Sequence, residues 1–261
     1  MGKKSRFNIT GDDTIHLLFA NSPNCMYELI DAVWTNLNAS VHYNAQGGVG
    51  NHSVILRDNS EYYSTNSFAI ANLNYNSTNN TLQVLSGSRL FAGKEIYTSS
   101  TDNSFIVSNG VIETLGDFTV SMTSHSTVMD GFSNNFLVVQ GDMPKVIVTN
   151  GTLAVNYQSK LRFDLPSSGY QEGIVPVKVD KLVITADSDI IINNALERIN
   201  ELEETQYVTL VEASTSVSIP AGVVERVNAT LPEGSYCYVS DDSKELMIKL
   251  YKEKGTMIIV R

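Results

Sequence analysis

Cysteine is nearly absent: Cys25 and Cys237 are the only two in 261 residues. They permit one disulfide without requiring it, and the simpler expectation is two packed thiols, which leaves the redox compartment open. Charge is also sparse, at 18% of residues, and it is one-sided, with 18 Lys and Arg against 28 Asp and Glu for a net charge of -10. A phosphate backbone is bound by clustered cations that displace counterions, so nucleic acid is excluded as a partner. No apolar run reaches about 18 residues, so no membrane helix is encoded. Lys3, Lys4 and Arg6 are followed by the polar stretch Asn8 to Thr14, and no export signal is visible there.

Catalytic chemistry is just as thinly represented. The four histidines, His16, His42, His52 and His125, sit in unrelated local contexts, and no Ser lies in a Gly-x-Ser-x-Gly elbow. His42 and His52 flank Gly47-Gly48-Val49-Gly50, which has neither the following Lys-Ser/Thr nor the leading strand of a phosphate loop and reads as a turn with surface histidines beside it. Close carboxylates are the usual apparatus of a β-helical hydrolase. The candidate pairs are Asp12-Asp13, Asp187 with Asp189, and Asp241-Asp242, all beside turn-forming residues where Asp is expected for backbone reasons. No catalytic residue, cofactor or metal ligand is therefore assigned. Sequons begin at Asn8, Asn38, Asn51, Asn76, Asn79, Asn150 and Asn228, and a composition this rich in Asn, Ser and Thr produces them by itself.

What the chain does have is a returning pattern: an apolar residue, any residue, Val, any two residues, Gly. It occurs at Leu82 to Gly87, Phe105 to Gly110, Phe136 to Gly141 and Val146 to Gly151. Each copy reads as a short alternating strand closed by a residue able to take positive φ. The copies start at 82, 105, 136 and 146, and the interval from 105 to 146 is two steps of about 20, within the range of solenoid repeats. The predicted fold is all-β, a β-solenoid, with a β-sandwich as the alternative. Val84, Val107, Val138 and Val148 are expected to point inward and the glycines to lie at corners.

Residues 1-40 are expected to form a helical cap: Ser22 and Pro23 open a helix whose stripe is Met26, Leu29, Ile30, Val33 and Leu37, with Trp34 beside it. Residues 41-192 form the stacked strands, including Ser53 to Leu56, Ser67 to Leu73 and Phe118 to Met122. Residues 193-261 form an α+β closing region. There Asn193 or Asn194 caps a short helix through Glu204, with Leu196, Ile199 and Leu202 on one side and Glu197, Glu201, Glu203 and Glu204 on a solvated face. Turns are expected at Pro220-Ala221-Gly222, Pro232-Glu233-Gly234 and Asp241-Asp242, with strands at Ser235 to Val239, Glu245 to Tyr251 and Thr256 to Val260.

The passage Asn150-Gly151-Thr152-Leu153-Ala154-Val155-Asn156, then Ser159-Lys160-Leu161-Arg162-Phe163-Asp164-Leu165, resembles the passenger repeats of autotransporter-type β-helix proteins. Leu182 to Ile184, Asp189 to Ile192 and Tyr207 to Val211 continue the likeness, which covers roughly residues 80 to 250. The resemblance implies a right-handed parallel β-helix exposed outside a bacterial cell, in adhesion or as a stalk. The residues after Leu165 contain too few long alternating strands for a translocator barrel. The function expected is a non-catalytic extracellular or cell-surface module that binds glycans or surface partners weakly through Asn, Thr and Tyr. The alternative is a carbohydrate-active β-helix enzyme, a polysaccharide hydrolase or lyase.

Overall fold

The computed structural model describes residues 5–10, 15–18, 24, 26–37, 41–44, 50–70, 78–85, 87–98, 100–122 and 133–253. Among the described residues strand far outweighs helix, which places it in the all-β class. The strands come in triplets. After β1 (Ser5–Thr10) and β2 (Ile15–Leu18), the chain forms β3 (Met26–Ile30), β4 (Ala32–Leu37) and β5 (Val41–Asn44), then β6 (Ser53–Arg57), β7 (Glu61–Ser64) and β8 (Phe68–Ile70). Two further triplets follow, β9 (Thr81–Leu85), β10 (Arg89–Ala92) and β11 (Ile96–Thr98), then β12 (Ser104–Ser108), β13 (Val111–Thr114) and β14 (Phe118–Val120). From β15 (Phe136–Gln140) onward the second and third strands of each triplet fuse, into β16 (Lys145–Val155) after β15 and β18 (Val177–Ile184) after β17 (Lys160–Asp164). The last triplet is β19 (Asp189–Asn193), a short helix α1 (Ala195–Asn200), and β20 (Gln206–Ser218).

Every strand of a triplet pairs in parallel with its counterpart in the next. One sheet runs β19-β17-β15-β12-β9-β6-β3, and the other carries both remaining series, joined through β16. The alternation along each strand explains why it forms: Leu82 and Val84, Phe105 and Val107, Leu161 and Phe163 turn inward and are fully buried, while their neighbours face out. Between the facing ladders the rings of Phe105 and Phe118 meet edge to face at 5.0 Å, and Trp34, Tyr62 and Phe68 form a second aromatic chain.

The corners recur as regularly as the strands. Between the first and second strand of successive triplets, Asp31, Asn59 and Asn109 take left-handed φ values of 45°, 63° and 54°, and Gly87 and Gly141 occupy the same corner. Asp and Asn tolerate this region better than other side chains, so the abundance of Asn has a backbone cause. At the corner that leads into the first strand, a column of buried polar residues runs His52, Asn80, Asn103, Asn135, Ser159 and Ser188. Each side chain from Asn80 to Ser159 accepts the backbone N–H of the residue one triplet earlier, at 3.2, 3.0, 2.8 and 3.2 Å, with intervals of 28, 23, 32 and 24 residues. Ser60 and Ser88 do the same at the next corner, accepting the N–H of Ala32 at 3.1 Å and of Ser60 at 3.0 Å.

Several sequence expectations are corrected. Residues 26–37 form no helix: β3 and β4 lie in parallel register on β6 and β7. Leu29 points inward with Met26 and Ile30 exposed, the corner at Asp31 resets the phase, and Trp34 and Asn36 point inward next. Of the five residues expected in one stripe only Leu29 is buried, and Met26, Ile30 and Leu37 are exposed, so the spacings of three and four that imitate a helix come from apolar residues on both faces of the strands. Ser22 and Pro23 lie outside the described residues. The four motif copies are likewise not equivalent. Those at 82 and 105 stack in register, but Phe105 faces Leu137 and Val107 faces Val139, so the copy at 136 is displaced by one residue, and the copy at 146 belongs to the other sheet. The four named valines are all buried, and Val84, Val107 and Val148 point inward as expected, but Val138 lies opposite Ile106 and Arg162 in the outward register while Leu137 and Val139 take the inward positions.

At the far end β20 also pairs antiparallel with β22 (Glu245–Leu250), which pairs with β21 (Tyr236–Val239). Pro220-Ala221-Gly222 is not a turn but the start of the helix α2 (Ala221–Asn228), because Pro220 can precede a helix and Val223 and Val227 then fall on one buried face. The turns at 232–234 and 241–243 and the strands after them are as expected, while Thr256 to Val260 lies outside the described residues. Helix α1 stops at Asn200, short of Glu204, and exposes Leu196 while burying Arg198. Glu197, Glu201, Glu203 and Glu204 are exposed as expected.

Candidate functional site

The closing sheet presents a face unlike the rest of the chain. Alternation sends Leu246, Ile248, Leu250 and Cys237 inward, so Met247, Lys249, Tyr236 and Tyr238 must face the other way. Register then lines up Tyr207, Lys249 and Tyr236 in one row across three strands, with Thr209, Met247 and Tyr238 in the next. Tyr207 is 56% exposed, and Tyr236 and Tyr251 are each 40% exposed. The Lys249 ammonium stands 5.2 Å from the ring centre of Tyr236 and 5.4 Å from that of Tyr251, a cation held between two rings. The rings of Tyr236 and Tyr238 lie 5.5 Å apart.

The edge of this sheet is pinned from α2. The Asn228 amide donates to the Cys237 carbonyl at 3.1 Å, and its Oδ1 accepts the Cys237 N–H at 2.6 Å. That side chain, the first residue of a sequon, is thereby committed to the fold. The Ser235 hydroxyl accepts the Tyr251 N–H at 2.9 Å and sets the start of the exposed ring row. Beneath the row, the free Cys237 thiol is pushed up to about 12 by burial.

Beside Tyr207 a cavity of about 340 Å³ opens between the 165–175 loop and β20, with Tyr170, Gln171, Ile174, Arg198 and Gln206 among its walls. The Arg198 guanidinium donates to the Ser167 carbonyl at 2.7 Å and to Gln206 Oε1 at 2.8 Å. Gly169 has φ +82°, and a Cβ there would come within 2.8 Å of the Arg198 side chain, so the loop's close approach to the guanidinium requires glycine. Burial, with the nearby Asp164 charge, pushes the Tyr170 phenol well above its ordinary value.

A smaller aromatic site lies on the outer face of the second strand series. Tyr63 stacks on Phe91 with centroids 4.7 Å apart and planes 6° from parallel, and Arg89 lies over Phe91 while pairing with Glu113.

The candidate carboxylate pairs are placed as follows. Asp12-Asp13 falls outside the described residues. Asp187 and Asp189 are not joined: Asp187 accepts the Thr185 hydroxyl at 2.6 Å, and Asp189 pairs with Arg226 at 2.7 Å, tying α2 to β19. Asp242 accepts the Ser240 hydroxyl and the Lys244 N–H, and these bonds lower its pKa. His52 is buried, not a surface residue as expected, because it occupies the inward corner of the asparagine column. His16 and His42 are Cα partners in the β2–β5 ladder, a neighbourhood invisible at a sequence separation of this size, while His125 and Cys25 lie outside the described residues. Among the described residues no group of three or more His, Cys, Asp or Glu is placed to hold a metal ion, and no helix is long and apolar enough to cross a membrane.

The tyrosine row and the cavity escaped the sequence reading. Tyr236-x-Tyr238 and Lys249-x-Tyr251 each carry the period-2 signal, but nothing local says that the two strands pair. Comparison with protein-family models, with curated proteins and with solved structures finds no match to this chain.

Proposed function

We propose that the chain is a single-stranded right-handed parallel β-helix that acts as a non-catalytic extracellular or cell-surface module, adhesin-like or structural, binding glycans weakly. Parallel pairing of each strand with its counterpart in the next triplet makes each return to a ladder a parallel crossover, and such crossovers are right-handed in roughly 98% of cases. The placement outside a cell rests on the resemblance to autotransporter-type passengers.

The observation that carries the binding reading is the exposed row Tyr207, Lys249 and Tyr236, with Tyr251 and Tyr238 beside it. A pyranose ring has an apolar C–H face and a polar rim. Tyrosine matches it with an apolar ring ending in a hydroxyl, and loses little conformational freedom on contact. A shallow row of this kind makes many small contacts, so each sugar is held weakly and a chain of sugars is held better.

The test is retention of the purified chain on a panel of immobilised polysaccharides. Binding that falls about tenfold or more in Tyr207→Ala and Tyr236→Ala is expected, each substitution removing a stacking ring. Reproducible release of oligosaccharide, abolished by Asp187→Asn or Asp189→Asn, would instead make the protein a polysaccharide hydrolase or lyase.

A further inference from the structure

The tyrosine row explains how a sugar chain could lie on the closing sheet, but it does not explain the cavity beside it. We infer that this cavity is a subsite for one carboxylated sugar unit, a hexuronate, whose carboxylate pairs with Arg198; the inference rests on the glycan-binding reading above.

Arg198 is only 9% exposed, yet among the described residues no carboxylate pairs with it. Its two assigned bonds go to neutral acceptors, the Ser167 carbonyl and the Gln206 amide oxygen. Among the described residues its Nε is buried with no partner, and so is the hydroxyl of Tyr170 in the same wall. A buried cation without a counter-charge and buried polar atoms without partners are both costly arrangements, and a carboxylate in the cavity would give Arg198 its counter-charge and bring acceptor oxygens to the wall that Tyr170 shares. The neighbouring acid, Asp164, is already engaged by Arg162 at 2.7 Å and by the Asn193 amide at 2.8 Å. Glu172, also in the cavity wall, is exposed.

Size and surroundings narrow the ligand to a sugar. A cavity of about 340 Å³ lies at the low end of the roughly 300–1,000 Å³ found for small-molecule sites, suited to one ring and not to a chain. Gln171, Gln206 and Thr209 supply neutral donors and acceptors for hydroxyls, and Tyr207 belongs both to the cavity and to the exposed row. One acidic unit of a polysaccharide could thus enter while its neighbours lie across the tyrosines.

The full chain is titrated with galacturonate, galactose, a short neutral oligosaccharide and a dipeptide with a free C-terminal carboxylate, read by calorimetry and ligand-observed NMR. Galacturonate is expected to bind at least about tenfold more tightly than galactose, as a charge-assisted contact to a buried guanidinium implies. Arg198→Gln should abolish that preference. Tyr170→Phe keeps the ring, deletes only the unpartnered hydroxyl and should fold at least as well, so a loss of galacturonate affinity in that variant is not a folding effect. If the neutral oligosaccharide binds but galacturonate gains nothing over galactose, the subsite is overturned while the glycan-binding reading stands. If the dipeptide matches galacturonate, the sugar assignment is overturned, and if no sugar binds, both readings fall.

Discussion

Asn103 Oδ1 accepts two hydrogen bonds from Asn80, one from its backbone N–H at 3.0 Å and one from its side-chain amide at 2.9 Å. Both residues are at most 2% exposed, so one buried oxygen joins two triplets where the chain turns into the first sheet. Asn103→Ala removes the acceptor from two buried donors, and the expected loss is about 2–4 kcal/mol of stability, measured by urea unfolding. A change below about 0.5 kcal/mol would mean that the column is decorative.

Leu29 and Val33 test the strand assignment of the N-terminal segment. Leu29 is buried in β3, whereas Val33 faces outward opposite Glu61. Leu29→Lys should cost about 3–5 kcal/mol through an unpaired buried charge, and Val33→Lys less than about 1 kcal/mol. On a helix with both residues in one apolar stripe, the two substitutions would cost alike.

Gly110 is needed for close approach, not for a special φ. A Cβ at this position would lie 2.5 Å from the Val84 carbonyl oxygen, a backbone atom that cannot swing aside. Gly110→Ala should therefore destabilise by about 1–3 kcal/mol, seen as a lower melting temperature. An unchanged melting point would show that the two triplets separate freely there.

Cys237 gives the alkaline side of the stability profile a defined slope. Its thiol is pushed from 9.0 to about 12 by burial, so above pH 9 the unfolded chain ionises while the folded chain keeps its proton. The unfolded state then binds fewer protons, and stability falls as pH rises from 9 to about 12, by up to about 1.4 kcal/mol per pH unit from this group. Cys237→Ala should flatten that part of the curve. In a Cys25→Ser background, the remaining thiol should react with a disulfide reagent only at the rate of unfolding.

The sequence by itself determined the all-β class, the inward Val84, Val107 and Val148, the turns at Pro232-Glu233-Gly234 and Asp241-Asp242, and the acidic solvated face at α1. These follow from period-2 alternation and from turn residues, which act within a few positions. It misled over residues 26–37 because Met26, Ile30 and Leu37 are apolar yet exposed, and together with the inward Leu29 they have helical spacings although they lie on both faces of two strands. It misplaced the repeat at 136 by one residue because the triplets vary in length, with intervals of 28, 23, 32 and 24, and only hydrogen-bond register shows which residues stack.

The candidate site belongs wholly to the tertiary structure. Tyr207, Lys249 and Tyr236 become neighbours only when β22 pairs antiparallel between β20 and β21. Nothing in the sequence singled out Arg198 on its short acidic helix, and its burial depends on the distant 165–175 loop, whose Ser167 carbonyl accepts its guanidinium and whose Gly169 backs onto it. Local pattern specifies which way a side chain faces along its own strand; what stands opposite it is decided by how distant segments pair.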